Sequence, residues 1–100
     1  MYSSDYVWAK VLNYLEERLT PVIVSAWFDD AKVIELTEEN LILYSPTEMR
    51  RDVITRRYAG HIEDALKEIF NSDAKLTVLG DKGLEGLREK NKIATSKFLI

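Results

Sequence analysis

The chain has no cysteine, one histidine and only four glycines and two prolines in its 100 residues. Without cysteine there is no disulfide framework and no thiolate metal site. The single histidine, His61, has no second histidine or cysteine to join in a zinc site, and a solvated surface histidine is the simpler reading. No apolar run approaches the ~18–20 residues that span a bilayer. Met1-Tyr2-Ser3-Ser4-Asp5 offers neither a basic n-region nor an apolar h-region, so no secretory signal is expected. These absences point to a cytoplasmic protein. A G-x-x-x-x-G-K-[ST] phosphate loop is also missing. The Gly80-x-x-Gly83-x-x-Gly86 run follows no strand–helix context and reads as flexibility. Glu16-Glu17, Asp29-Asp30, Glu38-Glu39 and Glu63-Asp64 are adjacent acids that diverge on a helix, so they read as solvated faces. No enzyme activity, cofactor or metal is expected.

What remains is the composition of one small globular domain. Hydrophobic residues make 46% and charged residues 31% of the chain, enough for one modest core and a net stability of about 5–10 kcal/mol. The net charge of −3 argues against a protein held to nucleic acid by its overall field. That charge is uneven. Residues 1–79 carry nine Lys/Arg against fourteen Asp/Glu, whereas residues 80–100 carry five against three. The composition shifts near Gly80. Residues 1–79 therefore read as one domain, and residues 80–100 as a flexible linker or tail.

Periodicity predicts the elements. Trp8, Leu12, Leu15 and Leu19 recur at helical spacing, widened by Val11, with Ser3 or Ser4 as N-cap. Thr20 can cap a second helix, with Pro21 at its first position, running to about Phe28. Val22, Ile23, Val24, Ala26, Trp27 and Phe28 make this helix apolar nearly all round, with Trp27 expected to be buried against the sheet. Lys32–Leu36 and Leu41–Ser45 read as a β-hairpin, with Asn40 able to take a positive φ in the turn. Ser45 as N-cap, Pro46 and Glu48 make a capping box; Thr47 is the alternative cap. The long helix that follows reaches about Asn71, with Ile54, Tyr58, Ile62, Leu66 and Ile69 on its inner face, and Gly60 allows a kink. Lys75–Leu79 is a short third strand. The fold class is α+β in the order α-α-β-β-α-β, helices packed on a small three-stranded sheet. Phe98-Leu99-Ile100 is an apolar ending that suggests docking or the continuation of a longer protein.

Two surface features stand out. Arg50, Arg51, Arg56 and Arg57 lie on the long helix. At 100° per residue Arg50 shares a face with Arg57, and Arg51 less well with Arg56. Such a patch can touch phosphates, or it can be a salt-bridged solvated face, since Asp52 and Arg56 are spaced i,i+4. The second feature is apolar: Tyr2, Tyr6, Trp8 and Tyr14 near the start, with Val22 and Ile23 in the second helix. These exceed what two short helices can bury, so some should act as interface anchors; Trp8 can be core or interface.

The text Val7-Trp8-x-x-Val11-Leu12, Leu15-Glu16-x-x-Leu19-Thr20-Pro21, Ser25-x-Trp27-Phe28 and Leu41-x-Leu43-Tyr44-Ser45-Pro46 is followed by Asp52-x-Ile54-x-x-Arg57-Tyr58-x-x-x-Ile62-x-x-Ala65-Leu66. Over roughly residues 6–79 it resembles the N-terminal domain family of the bacterial replication initiator DnaA. The resemblance implies a KH-like fold of the order given above. It implies a protein-interaction domain in the initiation of chromosomal replication that binds the replicative helicase and/or initiation regulators and weakly associates with itself. Weak single-stranded DNA contact belongs to the class, and a KH-like single-stranded nucleic-acid-binding module using the four arginines is the alternative function. No membrane partner is implied. Residue by residue, the family's self-association tryptophan matches Trp8. An acidic helicase-contact position falls on Ile23, a departure that turns the contact apolar. A helicase-contact phenylalanine falls on Met49, which preserves an adaptable apolar contact. A family tryptophan four residues later is Val53, and the KH-type G-x-x-G loop is absent.

Overall fold

Ser3 opens the first helix in the computed structural model, which describes the backbone of residues 3–98 and the side chains of residues 3–89. Its Oγ accepts a hydrogen bond from the Tyr6 amide at 3.1 Å, an N-cap for α1 (Ser4–Leu19). Val7, Val11 and Leu15 are its buried residues. Thr20 ends α1 and starts α2 (Pro21–Phe28). Its N–H donates to the Glu16 carbonyl, and its Oγ1 accepts from the Ile23 amide at 3.3 Å. Serving both ends forces Thr20 to φ 100° and ψ 149°. Pro21 requires the extended ψ, and the positive φ of a β-branched residue costs ~1–3 kcal/mol.

Strands β1 (Lys32–Leu36) and β2 (Asn40–Tyr44) are antiparallel, and β3 (Lys75–Leu79) runs parallel to β2 on its other side. Leu41 pairs with Leu36 and Leu76, and Leu43 with Val33 and Val78. These are two apolar rows across the inner face, with Leu41 and Leu43 fully buried at their centres. Val33 and Leu36 would face opposite sides of a regular strand. The register shift between Val33 and Glu35 lets both pack on the core and leaves Ile34 exposed. Asn40 does not take a positive φ, against the sequence expectation. The hairpin is closed instead by Thr37, whose Oγ1 accepts from the Asn40 and Glu39 amides.

The long helix is one run of three parts: α3 (Glu48–Val53), a π turn (Ile54–Tyr58) and α4 (Ala59–Phe70). Thr47 sits at the N-cap position with no side-chain cap bond. Ser45 is not the cap. Its N–H donates to the Leu79 carbonyl at 2.9 Å, which extends the β2–β3 pairing and buries Ser45. The irregularity expected at Gly60 lies one turn earlier, as the π turn. α4 ends at Asn71 in the left-handed conformation.

Residues 81–98 are not irregular, as their glycines and polar composition suggest, but a helix, α5 (Asp81–Phe98). Its start is fastened to the sheet. The Tyr44 hydroxyl donates to Asp81 Oδ1 at 2.6 Å. A Cβ at Gly80 would strike the Arg51 guanidinium, and one at Gly83 would crowd Leu79, so both glycines permit close approach. Tyr2 and the terminal Leu99-Ile100 lie outside the described residues, as does the side chain of Phe98. Among the described residues no helix is long and apolar enough to cross a membrane.

Two outcomes test this account. Gly60 is exposed and helical, and a Cβ there would meet nothing within 4 Å. Gly60→Ala is therefore expected to raise stability by ~0.5–1 kcal/mol in urea denaturation. The second concerns Tyr44, whose phenol is raised above the ordinary 10.0 first by its hydrogen bond to Asp81 and then by burial. The phenol donates only while protonated. With the folded value above the unfolded one, this bond contributes fully below about pH 10 and is lost as pH rises through the raised value. Alkaline titration of phenolate absorbance should lose a late-titrating group in Tyr44→Phe. Loss of a group that titrates normally would mean that the Asp81 bond does not form.

Candidate protein-interaction surface

α2 contains no charged residue, and its core needs only one side of it. Val24 and Phe28, four apart, point inward. Val22 is left 79% exposed and Ile23 37% exposed, and Ser25 and Ala26 are exposed as well. Trp27 is half-buried rather than enclosed between helix and sheet. Its ring lies 6.5 Å from Tyr58 at a tilt, so it packs on the π turn. Tyr58 in turn meets Phe28 edge-on at 5.9 Å, and His61 is half-buried 6.2 Å from the same tyrosine.

The start of the long helix is pinned to the end of α2 by Arg50, whose guanidinium lies 2.8 Å from Asp30 Oδ2. Met49, next in sequence, is 66% exposed. It lines a groove of about 710 Å3 together with Glu48, Arg51, Asp52, Arg56 and Val78. Ile23 is not part of that groove. The two expected partner-binding residues are thus both exposed and lie on elements that the Arg50–Asp30 pair joins, but they do not share one cavity.

The four arginines have separate fates. Arg50 holds Asp30 and is no free rim charge. Arg51 donates to the Ser45 carbonyl at 2.8 Å and packs under Gly80. Arg56 pairs with Asp52 at 3.0 Å, the i,i+4 pair visible in the sequence. Arg57 is exposed, with no ion pair among the described residues. Arg51 and Arg56 line the Met49 groove together with Glu48 and Asp52, so the groove is close to neutral.

Trp8 is half-buried, with its ring edge-on to Phe28 at 5.9 Å. It lines a second groove, of about 300 Å3, between α1 and α2. Tyr6 is exposed and meets Phe70 edge-on, with the Lys10 ammonium over its ring. Tyr14 is not a free anchor. Its hydroxyl donates to Glu68 at 2.5 Å, which raises its phenol, and Arg18 covers its ring at 3.4 Å. Among the described residues no group of three or more His, Asp or Glu side chains could hold a metal ion.

Residues 5–68 match the family described as the DnaA N-terminal domain. The chain is similar to the chromosomal replication initiator protein DnaA of several bacteria. Identity is 25% over 79 residues with that of Caldanaerobacter subterraneus subsp. tengcongensis, covering 77% of this chain and 18% of the relative. It is 32% over 76 residues with that of Buchnera aphidicola subsp. Baizongia pistaciae, covering 76% and 16%. It is 34% over 64 residues with that of Thermus thermophilus, covering 64% and 15%. The chain spans less than a fifth of the length of these relatives.

Half-burial sets the weight of Trp27. Trp27→Ala is expected to cost ~2–3 kcal/mol in chemical denaturation, below the ~3–5 kcal/mol of a fully enclosed aromatic. A cost under ~1 kcal/mol would mean that the Tyr58 contact contributes nothing.

Proposed function

The chain belongs to the DnaA N-terminal domain family, and on that premise we propose that it is a protein-interaction domain of chromosomal replication initiation that engages the replicative helicase or initiation regulators and associates weakly with itself. The observation that carries this reading is the uncharged α2, with Val22 and Ile23 outside the core, beside an exposed Met49 at the head of the long helix. Scattered apolar residues are normal on a protein surface. Three on adjoining elements, fixed relative to each other by an ion pair, make a pre-organised apolar surface, and such surfaces anchor protein partners. Ile23 stands where the family has an acid, so the contact at this point is apolar rather than ionic.

Single-stranded DNA binding has less support. Three of the four arginines already have acceptors on the protein, and Glu48 and Asp52 share the groove that Arg51 and Arg56 line. Phosphate recognition needs unpaired cations.

Calorimetry with the cognate helicase tests the reading. A central apolar anchor typically costs ≥ ~2 kcal/mol on truncation, so Met49→Ala should weaken binding at least ~30-fold. Arg56, exposed and outside any core contact, is the better rim control than Arg50, because Arg50 holds Asp30. Arg56→Ala should change affinity less than ~5-fold. The reverse order would make the arginine face the working surface.

A further inference from the structure

The sheet has two outer edges, on β1 and on β3, because β2 lies between them. The edge of β1 is interrupted by the bulge between Val33 and Glu35, a feature that turns a strand away from flat pairing. The edge of β3 is regular. Its bonding directions follow from the contacts at its two ends. The Lys75 amide donates to the Glu39 carbonyl, and the Leu79 carbonyl accepts from the Ser45 amide. In a parallel ladder, alternate residues turn both main-chain groups toward the same neighbour. Lys75, Thr77 and Leu79 are therefore bonded to β2, and the main-chain groups of Leu76 and Val78 point away from it. The Leu76 amide bears this out, since it donates to Glu63 Oε2 of α4 at 3.0 Å. Glu63 thus closes the edge at Leu76. No group among the described residues takes the N–H or the C=O of Val78.

The open position lies beside the exposed Met49. Val78 lines the same groove as Met49, Asp52 and Thr55, and the π turn packs alongside β3. Resting on the interaction-domain reading above, we propose that a partner protein adds a short extended strand to β3 here. Its main chain bonds both groups of Val78, and one of its apolar side chains lies on Met49. Strand addition draws affinity from main-chain bonds and specificity from alternate side chains. Charge and bonding both favour a polypeptide over a nucleic-acid strand. Glu48 has no ion-pair partner among the described residues, Asp52 already neutralises Arg56, and Arg51 is held by the Ser45 carbonyl, so a phosphate in this groove meets an acid and no unpaired cation. A phosphate backbone also offers acceptors alone and would leave the Val78 carbonyl unpaired, whereas a peptide supplies a donor and an acceptor together.

Hydrogen exchange tests this with the full 100-residue chain. Exchange is run on the chain alone and on the chain saturated with its cognate helicase, then quenched and read residue by residue by NMR. Alone, the Val78 amide should exchange at least ~10-fold faster than those of Thr77 and Leu79, which are bonded to β2. In the complex it should slow to their rate. A Val78 amide as slow as its neighbours in the free chain overturns the open edge. The first-turn amides of Glu48 and Met49 are also open, since Thr47 makes no side-chain cap bond. A helicase that slows these two but leaves Val78 unchanged overturns strand addition while keeping the interaction surface. Slowing of Val78 by a dT oligomer of ~10 nucleotides, with none from the helicase, overturns it in favour of a nucleic-acid groove. No helicase binding in calorimetry removes the helicase reading itself, and the added strand with it.

Discussion

Ile54, Tyr58, Ile62 and Leu66 must all face the core from one helix, and they are spaced strictly by four. On an α-helix each such step overshoots a full turn by ~40°, so three steps carry the last side chain ~120° away from the first. A regular α-helix would spread the four over a broad stripe. The π turn over Ile54–Tyr58 supplies the wider turn that cancels this drift, and all four side chains are buried. The rest of the domain is arranged around that solution. Tyr58, at the end of the π turn, meets Phe28 and Trp27 and so fixes where α2 lies. Upstream of it, Arg50 is placed to reach Asp30 and Arg51 to reach the Ser45 carbonyl.

The sheet solves its own problem of parity in the same way. Leu41 and Leu43 keep the alternation of a regular strand, and their partners on β1 can match them only because the bulge absorbs one residue. Ile34 is the residue displaced. Local irregularity thus appears twice where apolar spacing and ideal geometry disagree, and both times burial prevails. The stake is large: losing one buried branched side chain costs ~2–5 kcal/mol, against ~1–3 kcal/mol for a strained backbone feature.

This explains how far the sequence could be read. The element order, the three strands and the inner face of the long helix from Ile54 to Leu66 follow from periodicity, which is local; Ile69, expected on the same face, lies in the last turn and is exposed. The π turn was present in the text as the strict four-residue spacing, but a residue count at 100° per step treats such a series as ordinary amphipathicity. For the same reason the pairing of Arg50 with Arg57 and Arg51 with Arg56 assumed a regular helix. Ser45 reads as a cap because its neighbours Pro46 and Glu48 do. Its amide is claimed by Leu79, thirty-four residues on, and no local pattern reports that. α5 was obscured by its glycines, although Leu84-Glu85 and Leu87-Arg88-Glu89-Lys90 are good helix formers. Gly83 is there for the close approach of Leu79 and not for flexibility. At the surface, the exposure of Ile23 and Met49 followed from excess apolar residues, but the ion pair that joins their elements links positions twenty apart and was invisible.

The arginines decide what kind of partner the field of the domain favours. A basic cluster projects a field only when its charges are uncompensated. Arg50 and Arg56 are neutralised by Asp30 and Asp52, and Arg51 is held against a carbonyl and α5. What remains outward over residues 1–79 is the acidic excess, including Glu16 and Asp29 beside Trp8. Attraction at a distance therefore selects basic partners. It does not hold them, since exposed ion pairs are worth only ~0–1 kcal/mol each. Under the proposed function, affinity has to come from apolar contact, and the exposed apolar side chains that offer it are Val22 and Ile23 of α2 and Met49. The division of labour follows from the packing: the core leaves α2 apolar side chains it does not need, while the Arg50–Asp30 pair at the end of α2 and the Asp52–Arg56 pair within the long helix compensate two of the arginine charges.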